Sequence, residues 1–259
     1  MNSKVEEINP YSAGGHKHEQ VREMFDNIAP AYDVMNRMMT LGIDRRWRRK
    51  AVKTVAATHP GAILDIATGT GDLAILLARA VPAATVTGVD LSEGMLEVGR
   101  RKAVKAGLGD RITFRSADAL ALPFPDNSFD AITVAYGVRN FEHLDRGYAE
   151  MLRVLRPGGL LCVLELSVPA SPLVKPFYAA YTRGVIPLVG RLVSKDTAAY
   201  SYLPRSIRAV PARAQMTRLI TDAGFADAAY HSQTLGVCTM YIARKPERRI
   251  HPSTPPLLH

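Results

Sequence analysis

The sequence predicts an α/β fold in which a mostly parallel, Rossmann-like sheet is covered by helices and closed by a C-terminal antiparallel hairpin. Between residues 62 and 167, short apolar runs with strand character alternate with longer helical patterns. That alternation is typical of parallel strands joined by crossover helices. A glycine-rich turn follows the first apolar run, and two short apolar runs near the end of the chain meet at Gly236, which indicates the hairpin.

The individual elements follow from hydrophobic periodicity and from the turn residues between them. Strands are expected near residues 62–66, 84–90, 111–115, 129–135 and 159–166, and helices near 71–81, 92–106 and 142–155. A further helix is expected near 211–223, before the hairpin runs 227–234 and 237–243.

The flanking regions differ in composition from this α/β region, which is assigned to residues 62–244. Residues 1–15 are polar and glycine-containing, which predicts a flexible N terminus. Residues 16–61 are expected to form a helical lid, because apolar side chains recur there at helical spacing. Residues 170–209, rich in proline, aromatic and basic residues that include Arg183, Arg191 and Lys195, are interpreted as an insertion, and 245–259 as a disordered tail.

The segment Ile63–Ala74, ILDIATGTGDLA, predicts a strand, a tight turn and the start of a helix. Gly69 and Gly71 permit backbone angles that other residues avoid, and they let a ligand approach the main chain closely. Asp90 ends the next apolar run, at the position where a carboxylate binds a ribose. Together these residues predict a cofactor that contains a nucleoside.

The glycine pattern also fits a nicotinamide or flavin dinucleotide, so the identity of the nucleoside depends on other residues. Asp65 lies four residues before Gly69, where its carboxylate can meet the ammonium of a methionine moiety but would repel a pyrophosphate. Asp118, beside Ala119, follows the third apolar run and is positioned to bind an adenine amino group. The set therefore favours S-adenosylmethionine.

Charge and cysteine content narrow the class of protein. The 33 basic and 24 acidic residues give a net charge of +9, which favours anionic partners: a nucleic acid, a phosphate-bearing substrate or an acidic membrane surface. No apolar stretch reaches the ~18 residues of a spanning helix. Cys162 and Cys238 lie in predicted strands, where buried reduced thiols are expected, so a cytoplasmic protein without disulfides is predicted.

A pair of histidines and a run of basic residues are both expected to have no binding role. The histidines of His16-Lys17-His18 are expected to be exposed without a metal, and no metal is predicted for the chain. The basic run around Trp47 is expected to be a solvated helix face, with contact to an anionic surface as the alternative. This run comprises Arg45, Arg46, Arg48, Arg49, Lys50 and Lys53.

Several longer motifs carry a family resemblance that extends from about residue 25 to residue 243. They are Phe25-Asp26-x-Ile28-Ala29-x-x-Tyr32-Asp33-x-x-Asn36, Leu41-Gly42-Ile43, Trp47, Ala121-Leu122-Pro123-Phe124-x-Asp126-x-Ser128-Phe129-Asp130, Tyr136-Gly137-Val138-Arg139-Asn140 and Tyr200-x-Tyr202-Leu203-x-x-Ser206-Ile207. In these motifs the chain resembles the ubiquinone/menaquinone biosynthesis C-methyltransferases. The resemblance implies a class I S-adenosylmethionine-dependent methyltransferase fold.

The resemblance also implies a reaction: methyl transfer from S-adenosylmethionine to a ring carbon of a polyprenyl quinol, with demethylmenaquinol as the expected substrate. It implies that Thr70, Asp90 and the Asp118–Ala119 pair contact the cofactor, with Gly69 and Gly71 shaping the loop. Some relatives carry a serine two residues before the Gly-x-Arg-Asn motif, and this chain has Ala135 there, so that hydroxyl contact is missing.

Ring carbon is a weak nucleophile until a quinol hydroxyl loses its proton, so the reaction needs a base or a cation that lowers the quinol pKa. Arg139, just beyond the fourth strand, is assigned to stabilise the quinolate or to polarise a water, with an ion pair to Glu142 as its structural alternative. Asn140 is assigned to hold a quinol oxygen, and Tyr32 to reach in from the lid. His143 is expected to lie one turn into a helix with a structural role.

Other functions stay open at this point. The substrate alternatives are a benzoquinol of ubiquinone biosynthesis and another lipophilic small molecule, and the non-enzymatic alternative is a scaffold subunit that binds the cofactor. Methylation of nucleic acid is disfavoured, because neither cysteine follows a proline and no Pro-Pro-aromatic motif follows the fourth strand. The basic surface and the insertion predict transient contact with the anionic inner face of the cytoplasmic membrane. A homodimer is a further alternative.

Overall fold

The computed structural model describes residues 3–11, 14–182, 184 and 197–247, and in them one seven-stranded sheet has the order β3-β2-β1-β4-β5-β7-β6. The strands are β1 Ala62–Ile66, β2 Thr85–Asp90, β3 Ile112–Ser116, β4 Phe129–Ala135, β5 Leu155–Leu166, β6 Ala226–Gln233 and β7 Cys238–Arg244. Strands β1 to β5 pair in parallel, whereas β7 pairs antiparallel with both β5 and β6. The predicted fold class is confirmed.

Helices cover both faces of this sheet. They are α1 Lys17–Ile28, α2 Tyr32–Thr40, α3 Asp44–Ala56, α4 Asp72–Ala80, α5 Glu93–Lys105, α6 Leu144–Val154, α7 at residues 175–182, α8 Thr197–Ala209 and α9 Ala214–Asp222. Short 3₁₀ turns occur at Ala29–Ala31, Val138–Asn140 and Thr234–Gly236. None of the helices in the described part of the chain is both long and apolar enough to cross a membrane.

The hydrophobic core has two layers, one on each side of the sheet, because side chains alternate along each strand. On β1, Ile63 packs with α3, α4 and α5, whereas Leu64 and Ile66 pack with α6 and α9. Each of these three side chains is at least 99% buried. This double coverage fixes the strand register, and it leaves the carboxyl ends of β1, β2 and β4 as the open edge.

Two predicted boundaries were wrong. Strand β5 begins at Leu155 rather than near residue 159, because Leu155 already pairs with Phe129 of β4; the register then shifts across Arg156–Gly159 before Leu160 pairs with Ala131. Helix α6 begins at Leu144, so His143 is the residue before its first turn and does not lie one turn inside it.

The helical region before β1 packs closely on the α/β region. Met24, Ile28 and Met35 form a small core with Met95 of α5 and with Tyr202 of α8. Polar contacts hold the same surfaces together. Asp26 Oδ1 accepts hydrogen bonds from Ser92 Oγ at 2.6 Å and from the Gly94 amide at 3.0 Å. The first helices are therefore in position to cover the open edge of the sheet.

The N-terminal residues that the sequence analysis expects to be flexible pack on this region where they are described. Val5 is completely buried, and Glu6 Oε1 accepts a hydrogen bond from the Leu144 amide at 2.8 Å, which satisfies a donor at the start of α6. Within the predicted insertion, α7 and α8 are described, whereas Arg183, Arg191 and Lys195 lie outside the described residues. So does the part of the predicted tail from residue 248 onwards.

Candidate active site

A crevice opens at the carboxyl ends of β1, β2 and β4, beneath α1 and the start of α2. Its walls combine Phe25 and Tyr32 of the helical region with the glycine loop and the ends of the strands. Six of the predicted site residues line it: Tyr32, Gly69, Asp90, Asp118, Ala119 and Asn140. The sheet topology therefore brings together residues that are up to about a hundred positions apart in the chain.

The loop after β1 requires glycine at two positions. Gly69 and Gly71 have φ values of 55° and 76°, in the left-handed region that side chains disfavour. At Gly71 a Cβ atom would also lie 2.7 Å from the Phe114 ring, so a larger residue would force this buried ring to shift. Gly71 caps α4, and the loop thus directs backbone amides and the helix N terminus towards the crevice.

Asp90 is fixed in place at the end of β2. Its Oδ2 accepts a hydrogen bond from the Gly69 amide at 2.8 Å, and its Oδ1 accepts one from the Ser92 amide at 3.0 Å. Burial raises the pKa of Asp90, and these backbone donors counteract the rise. The carboxylate is thus rigidly oriented at the crevice wall, as binding of ribose hydroxyls requires.

Asp118 and Ala119 form the wall beyond β3. Asp118 Oδ1 accepts a hydrogen bond from the Leu120 amide at 2.9 Å, and Ala119 is buried against the second core layer. This turn presents a carboxylate and a small apolar surface together. Such a combination suits a flat heterocycle with an exocyclic amino group.

Asp65 and Thr70 line a smaller neighbouring cavity that shares Tyr32, Gly69 and Tyr136 with the crevice. The two Asp65 oxygens accept hydrogen bonds from the hydroxyls of Thr68 at 2.6 Å and Thr133 at 2.5 Å. Burial raises the pKa of Asp65 to about 6, although these two hydroxyls oppose the rise. A cationic ligand in this cavity would stabilise the charged carboxylate and lower this pKa again.

The Thr70 hydroxyl links the glycine loop to the helical region. It donates to Asp33 Oδ1 at 2.6 Å and accepts from Lys102 Nζ at 3.2 Å, while Lys102 also pairs with Asp33 at 2.7 Å and with Asp72. In this arrangement Thr70 joins α2 to α4 and α5. Contact of its hydroxyl with the cofactor stays a prediction.

Arg48 is a residue of this cavity that the sequence analysis missed. It was grouped with a solvated basic face, yet its side chain is 7% exposed and pairs with Asp44 and, at 3.3 Å, with Asp72. Its guanidinium also lies 5.5 Å from the centre of the Tyr136 ring. The other members of the run, Arg45, Arg46, Arg49, Lys50 and Lys53, are exposed as expected. Within this run Arg48 alone lies one helical turn after an acid, Asp44, and on the same buried helix face as Trp47. This spacing is visible in the sequence and indicates an ion pair on the buried face.

A second, apolar cavity of about 550 Å³ adjoins the crevice. It lies between α1, α2, α7 and α8, and most of its lining is aliphatic or aromatic. Phe25, Tyr32 and Tyr136 line both spaces and so form their junction. This arrangement brings a ligand in the crevice next to a lipophilic ligand in the cavity.

Arg139 lies in the wall of the apolar cavity, and among the described residues that line this cavity it alone carries a charge. Its Nη1 pairs with Glu165 Oε1 at 2.9 Å and also donates to the Tyr136 carbonyl, while its backbone amide donates to Glu165 Oε2 at 3.2 Å. Arg139 Nε is buried without a hydrogen-bond partner among the described residues. Burial alone would lower the pKa of Arg139, but the Glu165 carboxylate raises it above its ordinary value.

The prediction that Arg139 could form an ion pair with Glu142 was wrong. Glu142 instead lies beside His18, with Glu142 Oε2 2.9 Å from His18 Nδ1. The 3₁₀ turn Val138–Asn140 turns Arg139 inward towards β5, where Glu165 is 1% exposed. The sequence analysis missed Glu165 because it lies within an otherwise apolar strand. A single acid in such a run indicates a buried carboxylate that needs a partner, and this signal was present in the sequence.

Asn140 and Tyr32 complete the junction. Asn140 Oδ1 accepts a hydrogen bond from the Tyr202 hydroxyl of α8 at 3.0 Å, and Asn140 faces the crevice while Arg139 faces the apolar cavity. Tyr32, at the start of α2, borders the crevice and both cavities, and burial raises its pKa. These two side chains are therefore positioned between the two binding spaces.

The topology and the crevice are those of a class I methyltransferase. Among solved structures, the chain is similar to the [4+2]-cyclase SpnF, with a TM-score of 0.62 and 20% identity over 89% of this chain and 97% of that one. An O-methyltransferase family protein from Burkholderia thailandensis has a TM-score of 0.60 at 15% identity, over 84% and 60% of the two chains. At these identities the likeness establishes the fold.

The sequence profile of the ubiE/COQ5 methyltransferase family matches residues 14–245, and the chain belongs to this family. It is 50% identical to the demethylmenaquinone methyltransferase of Bacteroides fragilis, over 95% of this chain and all of that one. The demethylmenaquinone methyltransferase of Porphyromonas gingivalis is 47% identical, over 93% of this chain and 98% of that one. The ubiquinone/menaquinone biosynthesis C-methyltransferase UbiE of Geobacter sulfurreducens is 45% identical over 88% and 90%. The chain is therefore an S-adenosylmethionine-dependent methyltransferase, and the dinucleotide alternative is set aside.

Proposed function

We propose that this enzyme methylates a ring carbon of demethylmenaquinol to form menaquinol, with S-adenosylmethionine as the methyl donor. The observation that carries the proposal is the 550 Å³ apolar cavity, which meets the crevice at Phe25, Tyr32 and Tyr136 and has Arg139 in its wall. A lipophilic quinol fits a cavity of this size and lining. The names of the relatives from Bacteroides and Porphyromonas support a naphthoquinol ring over a benzoquinol.

The crevice residues fit the methyl donor. Asp90 would bind the ribose, Asp118 and Ala119 the adenine, and Asp65 the methionine ammonium through the neighbouring cavity, with Gly69, Thr70 and Gly71 forming the loop beneath. The rise in the pKa of Asp65 supports its role, because burial disfavours the charged carboxylate and a bound ammonium would offset that cost. When bound, the donor supplies a methyl group already activated by a sulfonium.

The residues at the junction would activate and orient the quinol. Arg139 is too basic to accept a proton, but its charge favours the quinolate, whose oxygen pushes electron density into the ring. Its Nε, which has no hydrogen-bond partner in the part of the chain that the structure describes, would donate to that oxygen. Asn140 and Tyr32 would hold the ring in line with the methyl group, and the covering helices would exclude water.

The substrate assignment has a direct test. We expect purified protein with a labelled methyl donor to methylate demethylmenaquinol faster than a benzoquinol of the same prenyl length. Product chromatography after reduction of both quinones measures the two rates in one reaction. Methylation of the benzoquinol alone would favour the ubiquinone alternative, and absence of methylation of either quinol would favour the scaffold alternative.

The role of Asp90 gives a prediction about cofactor affinity. We expect Asp90→Ala to weaken binding of S-adenosylhomocysteine by roughly ten- to a hundredfold, the equivalent of one charge-assisted hydrogen bond. Isothermal titration calorimetry measures the affinity. Asp90→Asn, which keeps an acceptor for the Gly69 amide, separates loss of the charge from collapse of the loop. Asp110→Ala, an exposed acid before β3, is the matched control and should bind normally. Unchanged affinity of Asp90→Ala would contradict the assignment.

We further propose that the mouth of the apolar cavity contacts an anionic membrane surface, from which a polyprenyl quinol enters. Leu41, Phe177 and Leu235 are 81%, 78% and 74% exposed, and the first two also line the cavity. The exposed Arg45 and Arg46 follow Leu41 at the start of α3. Apolar side chains beside basic ones suit the boundary between headgroups and acyl chains.

Cosedimentation with lipid vesicles tests whether this surface binds a membrane. We expect binding to vesicles that contain anionic lipid, weaker binding at high salt, and little binding to neutral vesicles. The variant Arg45→Gln/Arg46→Gln/Arg49→Gln should lose most of the binding. Arg101→Gln/Lys105→Gln on α5 removes exposed charge elsewhere and should retain it. Equal sedimentation of both variants would contradict the proposed surface.

A further inference from the structure

Three side chains with metal-binding atoms converge at the rim of the crevice. His16, His18 and Glu142 each offer one ligand atom, and these atoms lie within 4.8 Å of one another. The Nδ1 atoms of His16 and His18 are 3.5 Å and 2.9 Å from the two Glu142 oxygens. The histidines were expected to be exposed and without a metal; both side chains are partly or largely exposed, and the sequence did not indicate that they converge on one carboxylate.

Lys17, between the two histidines, anchors the start of α1. It is 3% exposed, and its Nζ donates to the Val5 carbonyl at 2.5 Å and to the Arg139 carbonyl at 3.3 Å. His16 precedes the helix in extended backbone, with φ −72° and ψ 142°, and its ring stacks on that of His18 with centroids 5.5 Å apart. The two rings meet because His16 lies outside the helix, since residues two positions apart within a helix do not face each other.

The spacing suits a zinc ion. Ligand atoms about 2.1 Å from a tetrahedral ion lie roughly 3.4 Å apart, and the three ligand atoms here lie within 4.8 Å of one another, so small side-chain rotations would bring them to that spacing. Two imidazoles and a carboxylate are donors that Zn²⁺ accepts, and water completes the fourth position. His16, whose side chain is 73% exposed, leaves the cluster accessible to the ion.

A second cluster, Glu6, His143 and Asp145, has ligand atoms equally close together but is less suitable. Its carboxylates are engaged with backbone amides: Glu6 with Ser3 and Leu144, and Asp145 with Arg146. A metal bound there would compete for the carboxylate oxygens that now accept hydrogen bonds from backbone amides at the start of α6. In the first cluster, the hydrogen bond between His18 and Glu142 is simply replaced by two bonds to the metal.

We propose that His16, His18 and Glu142 form a zinc-binding site that clamps α1 to the segment after β4. His18 belongs to α1 and Glu142 to the segment between β4 and α6, and both line the crevice, so an ion between them would link the covering helix to that segment. Bound zinc would hold the crevice closed and slow exchange of its ligand. This consequence rests on the methyltransferase function, whereas metal affinity is measured without turnover.

The test begins with equilibrium binding of Co²⁺ to untagged, chelator-treated protein. We expect one Co²⁺ per chain with the visible absorption of a tetrahedral site, displaced by Zn²⁺. His16→Ala should weaken binding at least about tenfold. His143→Ala, in the second cluster, should bind as the wild type does. Binding that is insensitive to His16→Ala, or that is lost in His143→Ala, would overturn the proposal. So would absence of a 1:1 complex.

A second measurement tests the clamp itself. We expect Zn²⁺ to slow dissociation of S-adenosylhomocysteine from the wild type severalfold, and to have no effect on His16→Ala. His16 does not line the crevice, so this variant should bind S-adenosylhomocysteine normally without metal. An equal effect of Zn²⁺ on both proteins would refute the clamp. Since neither measurement uses a quinol, failure of the substrate assignment would leave both results interpretable.

Discussion

Arg139→Ala is expected to bind S-adenosylhomocysteine like the wild type but to lose most of its turnover. Arg139 lines the apolar cavity and not the crevice, so its loss leaves the donor's contacts in place. Removing a preorganised cation from a dry site that stabilises an oxyanion costs roughly a hundred- to a thousandfold in rate. Calorimetry with S-adenosylhomocysteine and single-turnover transfer of a labelled methyl group measure the two effects separately.

Two further variants sharpen this prediction. Arg139→Lys keeps the charge but loses the planar guanidinium that contacts Glu165 and the Tyr136 carbonyl together, so an intermediate rate is expected. Arg218→Ala, on the exposed face of α9, removes an arginine far from the cavity and should react at the wild-type rate. Wild-type turnover by a folded Arg139→Ala protein would exclude a role for this cation in quinol activation.

The cofactor crevice could be predicted from the sequence because its residues follow strand ends directly. Gly69, Asp90 and Asp118 each lie within a few positions of the carboxyl end of a parallel strand, and such ends meet at one edge of the sheet. Periodicity locates the strands, so the position of these residues in the crevice follows. Their contacts with the donor stay predictions.

The ion pairs around the crevice could not be predicted, because they depend on packing between elements far apart in the chain. Glu142 is three residues from Arg139 in sequence, whereas Glu165 is on the neighbouring strand, and only the turn after β4 decides between them. Arg48 likewise sits in a basic run, and its burial follows from docking of α3 onto the sheet. Lys17 is buried because residues 3–11 pack over it.

Glu165→Ala is expected to be the most destabilising single change near the site. Glu165 is 1% exposed, and its oxygens accept from the Arg139 side chain and from the backbone amides of Arg139 and Leu166. Without it, a buried guanidinium and two amides lose their partner, and breaking a buried ion pair in this way costs about 3–5 kcal/mol. Urea unfolding followed by circular dichroism measures the free energy. Asp126→Ala removes the acid of the more exposed Arg153 pair and should change it by less than about 1 kcal/mol.

The double variant Arg139→Met/Glu165→Leu separates stability from activity. Apolar residues of similar volume can replace a buried ion pair, so this protein should be more stable than Glu165→Ala. It should still unfold below the wild-type midpoint, because the amides of Arg139 and Leu166 lose their acceptor, and its turnover should stay as low as that of Arg139→Ala. Recovery of this kind would show that the charge is not needed for packing, and the reason for a charge at this position would be chemical, since a cation beside an apolar cavity acts most strongly on an anionic quinol. If the double variant were as unstable as Glu165→Ala, the pair would instead be required for packing between β5 and the turn after β4.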